Sequence, residues 1–166
     1  MYNHRRSPYV SHFRGTEMVV EHIEQYWCPS VTSSDFLGGE PFRFKDDVKK
    51  RVAMIIGENE YYTWETLPEF AQKELEWRGI QVDYVQASPK EGDTHFENYA
   101  AIRKADLVLV STRRRTPPKA MMALLREHVA AGKAVAGIRT ATHGFDATPA
   151  SADLESWSRF DIDILG

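Results

Sequence analysis

From residue 51 onward, short apolar runs alternate with segments of helical length, and this alternation restricts the fold more than any other feature of the chain. Arg51-Val-Ala-Met-Ile-Ile56, Gln81-Val-Asp-Tyr-Val85, Leu107-Val-Leu-Val110 and Ala134-Val-Ala-Gly-Ile138 read as strands. After the first, Leu67, Phe70, Ala71 and Leu75 recur at helical spacing behind Thr66-Leu-Pro-Glu69, a capping-box pattern, and Gly79 stands where a helix ends. A short helix is expected over 97–104. Thr116-Pro-Pro opens another as N-cap and prolines, with Met122, Leu125 and Val129 on one side and Gly132 at its close. Residues 107–110 are apolar throughout and read as a strand buried on both faces. Strand–helix–strand units of this size wind into a parallel sheet with right-handed crossovers. The expected fold is therefore α/β: an open, mostly parallel three-layer sheet, flavodoxin-like or Rossmann-like, with strand order 2-1-3-4.

Residues 1–48 read differently. A helical stretch near 17–27 is followed by Cys28-Pro-Ser and Ser33-Ser-Asp-Phe-Leu-Gly-Gly, which punctuate the chain heavily. The expected organisation is a partly disordered N-terminal extension over 1–48 and one α/β domain over 49–166. A length of 166 residues, 42% of them hydrophobic and 27% charged, suits a single domain with a real core. The formal net charge of -3 disfavours affinity of the whole protein for nucleic acid or anionic membrane, so any basic site must be local. Cys28 is the single cysteine, which excludes a disulfide framework or a cysteine-rich metal site within one chain. No run reaches the ~18 to 20 apolar residues of a membrane span. Met1-Tyr-Asn-His-Arg-Arg-Ser-Pro leads into no apolar signal region, and Arg5-Arg6 alone is no twin-arginine signal, so a cytoplasmic location is expected.

The strands end in polar clusters: Gly57-Glu-Asn-Glu60, Arg113-Arg-Arg115 and Arg139-Thr-Ala-Thr-His143. Open parallel sheets bind ligands outside the carboxyl ends of their strands, where strand order reverses. Three distant stretches would thus deliver Glu58, Asn59, Glu60, Arg113, Arg114, Arg115, Arg139, Thr140 and His143 to one crevice.

The usual sites of this fold can be checked against the residues. No G-x-G-x-x-G follows a strand and no G-x-x-x-x-G-K-[ST] occurs, so dinucleotide and P-loop nucleotide binding lack their fingerprints. A receiver domain needs an aspartate ending the third strand, where Ser111-Thr112-Arg113 stands. No H-E-x-x-H occurs, and no metal or cofactor is expected, although Glu58, Glu60 and His143 would be the group to inspect. Val135-Ala-Gly-Ile-Arg139-Thr140 is a strand running into a sharp turn, the place of the nucleophile in α/β enzymes. Arginine stays protonated and cannot attack a carbonyl. A Cys–His amidotransferase mechanism is likewise absent, because Cys28 lies in the leader.

Gly57-Glu-Asn-Glu-Tyr-Tyr-Thr-Trp-Glu-Thr-Leu-Pro68, Ala105-Asp-Leu-Val-Leu-Val-Ser-Thr-Arg-Arg-Arg115 and Gly137-Ile-Arg-Thr-Ala-Thr-His143, in this order, resemble the ThuA-like (trehalose utilisation) family. Trp157-Ser-Arg-Phe-Asp161 through Leu165-Gly166 is similar to the family's next landmark. The resemblance covers residue 51 to the end. It implies the fold of the class I glutamine amidotransferases without their catalytic cysteine, and a role in carbohydrate utilisation. Trehalose-associated members carry a histidine in the turn after this strand; here that turn is Gly-Ile-Arg, with His143 four residues later, as in a variant subgroup. Related chains continue past this landmark, so the resemblance also implies a domain incomplete at its C-terminus.

Each candidate has a structural reading beside the functional one. Arg113–115 could form a solvated loop, pair with Glu58 or Glu60, or bind a ligand, and at most two of the three side chains should enter the crevice. Arg139 should meet a carboxylate such as Glu60, or an anionic ligand, because an unpaired buried charge is costly. His143 is either a backbone-bonded residue starting a helix or a general acid/base. Glu58 and Glu60 come from one loop, which suits opposite-face attack on a sugar ring poorly. Tyr61, Tyr62 and Trp64 would stack on a sugar or pack their loop onto the domain; Met121 and Met122 are core candidates. The expected function is binding or processing of a carbohydrate-derived metabolite, with a small-molecule partner and self-association left open. The alternatives are a non-catalytic binding or interaction module with a structural Arg–Glu network, and a cysteine-independent hydrolase using Ser111 or Thr140.

Overall fold

The computed structural model describes residues 49–87 and 94–166. The extension expected over 1–48, with Cys28 and the stretch near 17–27, lies outside the described residues. Strands β1 (Lys50–Gly57), β2 (Ile80–Gln86), β3 (Leu107–Thr112) and β4 (Ala134–Gly137) form one parallel sheet in the order β2-β1-β3-β4. This is the α/β open sheet read from the alternation. In its register Met54 stands between Tyr84 and Leu109, and Val110 lies opposite Gly137.

Successive side chains of a strand point to opposite faces, and β1 divides its apolar residues accordingly. Val52, Met54 and Ile56 pack with Leu67 and Ala71 from α1 (Thr63–Phe70). Ala53 and Ile55 face the other way, toward Met121, Met122 and Leu125 of α2 (Lys119–Ala130), with Phe96, Ile102, Phe145 and Phe160. The sheet is thus the middle of three layers, and Met121 and Met122 are fully buried, as their place in the pattern suggested. The two faces are not equally covered. Val108 and Val110 are buried, whereas Leu107 and Leu109 on the α1 side are only half-buried, so residues 107–110 are not enclosed on both faces. A helix ~10 Å across spans about two strands spaced ~4.8 Å apart, and on this face Met54 and Ile56 of the central β1 are enclosed while Val82 and Tyr84 of β2 are half-buried like Leu107 and Leu109 of β3.

Local starts and stops depart from the expected ones in several places. Helix α1 begins at Thr63, three residues ahead of the capping box, behind a left-handed Tyr62 (φ 55°). The Thr66 hydroxyl donates to Tyr62 O at 3.2 Å instead of capping the helix. Pro68 therefore falls in the helix interior, where it lacks an N–H for the ladder. The chain continues through a wider π-type turn (Ala71–Leu75) and a 3-10 turn (Glu76–Arg78), and Gly79 closes it at φ 85° as expected. Phe70 is 44% exposed rather than buried. At ~100° per residue it lies about 100° from the centre of the stripe formed by Trp64, Leu67, Ala71 and Leu75. Thr116 does not cap α2, which starts at Lys119 after an extended Pro118; a proline at 118 holds residue 117 out of the α region, so no helix can open at Thr116. Gly132 ends α2 at φ 70°, as expected. Residues Tyr99–Lys104 form a 3-10 turn, and His128 is buried beside a half-buried Val129, its Nε2 2.9 Å from Ala134 O. Among the described residues no helix is long and apolar enough to cross a membrane.

Candidate functional site

The carboxyl ends of β1, β3 and β4 are joined by bonds between the segments that follow them. Gly57 O accepts from Arg113 N–H at 3.2 Å and from Arg115 Nε at 2.7 Å, tying the β3 loop to the end of β1. Arg114 N–H donates to His143 O at 3.0 Å and Arg115 N–H to Gly144 O at 2.8 Å, tying the same loop to the turn after β4. The Thr140 hydroxyl donates to Thr112 O at 2.8 Å. Gly144 makes this closeness possible: a Cβ there would lie 2.3 Å from Thr112 Oγ1. The glutamates, arginines and His143 therefore share one rim, at the end of the sheet where β1 and β3 diverge in winding.

Their side chains nevertheless divide into two sets. Glu58, Arg115 and Thr140 turn inward. The Glu58 side chain is enclosed, with the residue 1% exposed. Its Oε2 accepts from Glu60 N–H (2.7 Å) and Tyr61 N–H (2.8 Å), and its Oε1 from Thr63 N–H (2.8 Å) and the Thr63 hydroxyl (2.6 Å). Burial acts to raise its pKa, but the bonds from Thr63, Glu60 and Tyr61 together outweigh burial and hold the carboxyl below its ordinary range. These bonds also explain the early start of α1. Glu58 satisfies the Thr63 N–H, the first donor of the helix, and the N–H groups of Glu60 and Tyr61 in the loop before it, while Tyr62 O takes those of Glu65 and Thr66. It builds the rim and has no lone pair left for a ligand. Arg115, 2% exposed, is held on Gly57 O, and Thr140, 6% exposed, on Thr112 O.

The second set faces outward. Arg113 Nε lies 3.2 Å from Glu60 Oε2, so Glu60 pairs with Arg113 and not with Arg139. Arg139 is exposed, and its guanidinium lies over the Tyr61 ring at 3.8 Å. An aromatic face takes the place of the expected carboxylate, a contact worth about 0.5–1 kcal/mol for a cation that remains in water. Arg114 is exposed and makes no ion pair among the described residues. His143 is half-buried and ends the 3-10 turn Arg139–His143 rather than starting a helix; its Nδ1 lies 3.2 Å from Thr142 Oγ1. Asn59 is half-buried beside Glu60. Of the aromatics, Tyr61 and Tyr62 are 40% and 61% exposed, whereas Trp64 packs against the α1-side core with its ring 5.1 Å from that of Tyr62.

Arg114 and Arg139 share one backbone property. Both have φ 49°, in the left-handed region that residues with a Cβ avoid. Each such residue costs on the order of 1–3 kcal/mol and persists only where its surroundings enforce it. For Arg139 this is the sharp turn expected after β4, and for Arg114 it is the turn bonded to His143 O.

The sequence offered no reason to single out Thr63 or to join it to Ser111. The Ser111 hydroxyl, at the end of β3, donates to Thr63 Oγ1 at 3.1 Å, and Thr63 passes the chain on to Glu58. Among the described residues no three His, Cys, Asp or Glu side chains gather closely enough to hold a metal ion, so Glu58, Glu60 and His143 form no such group. Away from the rim, a depression of about 460 Å³ lies beside the C-terminal half of α2, lined by Arg126, Val129, Ala130, Trp157, Asp163 and Ile164. There the Arg126 guanidinium stacks on Trp157 at 3.9 Å, and Trp157 Nε1 donates to Asp163 at 2.9 Å. No protein-family model matches the chain, and neither a curated protein nor a solved structure is detectably similar to it.

Proposed function

We propose that the domain is ThuA-like and binds or processes a carbohydrate-derived metabolite in the crevice at the carboxyl ends of its strands. Asn59, Glu60, Arg113, Arg114 and Arg139 would contact the ligand, with His143 as the general acid/base. The observation that carries this reading is the Arg139–Tyr61 stack at 3.8 Å on the rim of the sheet, with the exposed Tyr62 beside it. Aromatic faces next to hydrogen-bonding side chains are what a sugar requires, since its ring offers both C–H surface and hydroxyls. His143 is half-buried at the close of the turn that Arg139 opens, and an imidazole is the side chain suited to move a hydroxyl proton. A soluble small-molecule ligand and a cytoplasmic location belong to this proposal.

Calorimetric titration with oxidised and unoxidised disaccharides tests it. Arg139→Ala and His143→Ala are each expected to weaken binding at least tenfold. Binding that neither substitution alters removes the site assignment.

A second reading, a non-catalytic interaction module, is favoured by the Arg113–Glu60 pair and by the inward set, which form a framework of charge and hydrogen bonds. It predicts no sugar binding at all. The hydrolase reading has little to support it, because Ser111 and Thr140 are 1% and 6% exposed and both hydroxyls are engaged.

A further inference from the structure

Resting on that reading, we infer that the metabolite is an anionic sugar, whose carboxylate or phosphoryl group is held by Arg114 and Arg139. The three rim segments contain four arginines and two glutamates. Glu58 is saturated by its own loop, Arg115 is turned onto a carbonyl, and Glu60 is matched by Arg113. Arg114 and Arg139 remain, exposed and with no carboxylate at ion-pair distance among the described residues. The chain as a whole carries a net charge of -3, so two uncompensated guanidiniums at one end of the sheet do not follow from its composition.

The backbone points the same way. At φ 49° glycine would be the unstrained residue in both places. An arginine kept there is held against the local preference, and strain of this kind gathers at ligand sites, although Tyr62 and Asn98 adopt the same conformation. The Arg139 guanidinium carbon lies 3.8 Å from the centre of the Tyr61 ring, and a guanidinium carried on an aromatic face keeps N–H donors for an oxyanion. Planar donors held in this way suit the paired oxygens of a carboxylate or phosphoryl group better than single hydroxyls. Arg114 N–H is bonded to His143 O, at the close of the turn that Arg139 opens, so both arginines belong to segments joined at the rim. A neutral sugar would use the aromatic face and leave the second guanidinium without an acceptor.

The experiment titrates the full chain with D-glucose, D-glucuronate, D-glucose 6-phosphate and inorganic phosphate, in wild type and in Arg114→Gly and Arg139→Gly. Glycine removes the charge and the left-handed strain together. The expected result is at least tenfold tighter binding of an anionic sugar than of glucose, lost in both variants, with thermal midpoints no lower than wild type. Glucuronate against glucose 6-phosphate separates carboxylate from phosphoryl recognition. Equal affinity for neutral and anionic sugars overturns the anion inference and leaves the sugar reading standing. Binding of inorganic phosphate alone, lost in the variants, overturns the sugar reading, and with it the anionic sugar named here. Failure to bind any of the four overturns the anion inference, and the disaccharide titration then decides the sugar reading by itself. A marked fall in the midpoints of both variants, with anion affinity intact, assigns the two arginines to the fold.

Discussion

Glu58→Gln is the sharpest test of how the rim is built. The wild-type carboxylate accepts four hydrogen bonds, two on each oxygen. An amide keeps one acceptor oxygen and turns an NH2 group toward the other pair of donors. Either Glu60 and Tyr61 lose their acceptor or the Thr63 N–H does, within a 1% exposed pocket that water does not reach. Hydrogen bonds to a charged group contribute ~1.5–3 kcal/mol each, and a stranded buried donor adds its desolvation cost, so the expected loss is about 3–4 kcal/mol. Against a typical total of about 5–15 kcal/mol this is large. It corresponds to a melting point lower by roughly 10 °C in a domain of this size.

Urea unfolding followed by circular dichroism at pH 7 measures the loss directly. The pH dependence supplies a second signature. The folded carboxyl is held below its ordinary value of 4.5, so its stabilisation is complete above that value and disappears as pH falls through the folded value. The gap between wild type and Glu58→Gln should therefore narrow on acidification and be constant near neutrality. Equal urea midpoints at pH 7, or a gap unchanged from neutral to strongly acid pH, would refute the assignment of Glu58 as the ionised organiser of the loop and of the α1 N-terminus.

Gly144→Ala is expected to destabilise the domain by about 1–3 kcal/mol through overpacking, since its Cβ would meet Thr112 Oγ1 at 2.3 Å while its φ of -62° suits any residue. Adding Thr112→Ala should recover much of that loss, which calorimetric melting of the double variant checks. A double-mutant cycle on Arg113 and Glu60, whose side chains are 23% and 47% exposed, should give a coupling below ~1 kcal/mol that shrinks with added salt. Leu125→Ala should cost about 3–4 kcal/mol, and Leu109→Ala clearly less, because Leu125 is fully buried and Leu109 half-covered; equal costs in denaturant melts would contradict the uneven covering of the sheet.

Most of the architecture was legible in the chain because it rests on periodicities. The apolar run of β1, the alternation of residue types in β2, helical spacing in α1 and α2, and glycines 79 and 132 at left-handed closures are local signals that tertiary packing had only to accept. What failed were boundaries at which a distant or unusual partner intervened. The capping box at Thr66 was a sound local pattern, displaced because Glu58 supplied a better cap five residues before Thr63. Thr116 lost its capping role to the conformational veto of Pro118. The half-covered β3 face could not be read from Leu107-Val-Leu-Val110, because apolar content does not reveal how far one helix reaches across a sheet.

The candidate site divides along the same line. Apolar runs and right-handed crossovers alone determine that the polar residues after β1, β3 and β4 arrive at one end of the sheet, and the chain states this in its order of segments. The direction each side chain takes from there was decided by the fold. Glu58, Arg115 and Thr140 close on the protein's own backbone, while Arg114 and Arg139 stay outside, at left-handed residues of two turns. Neighbours in sequence such as Arg113, Arg114 and Arg115 are chemically identical. Contacts with Gly57, Glu60, His143 and Gly144, all distant in sequence, send one to a carboxylate, one to water and one to a buried carbonyl.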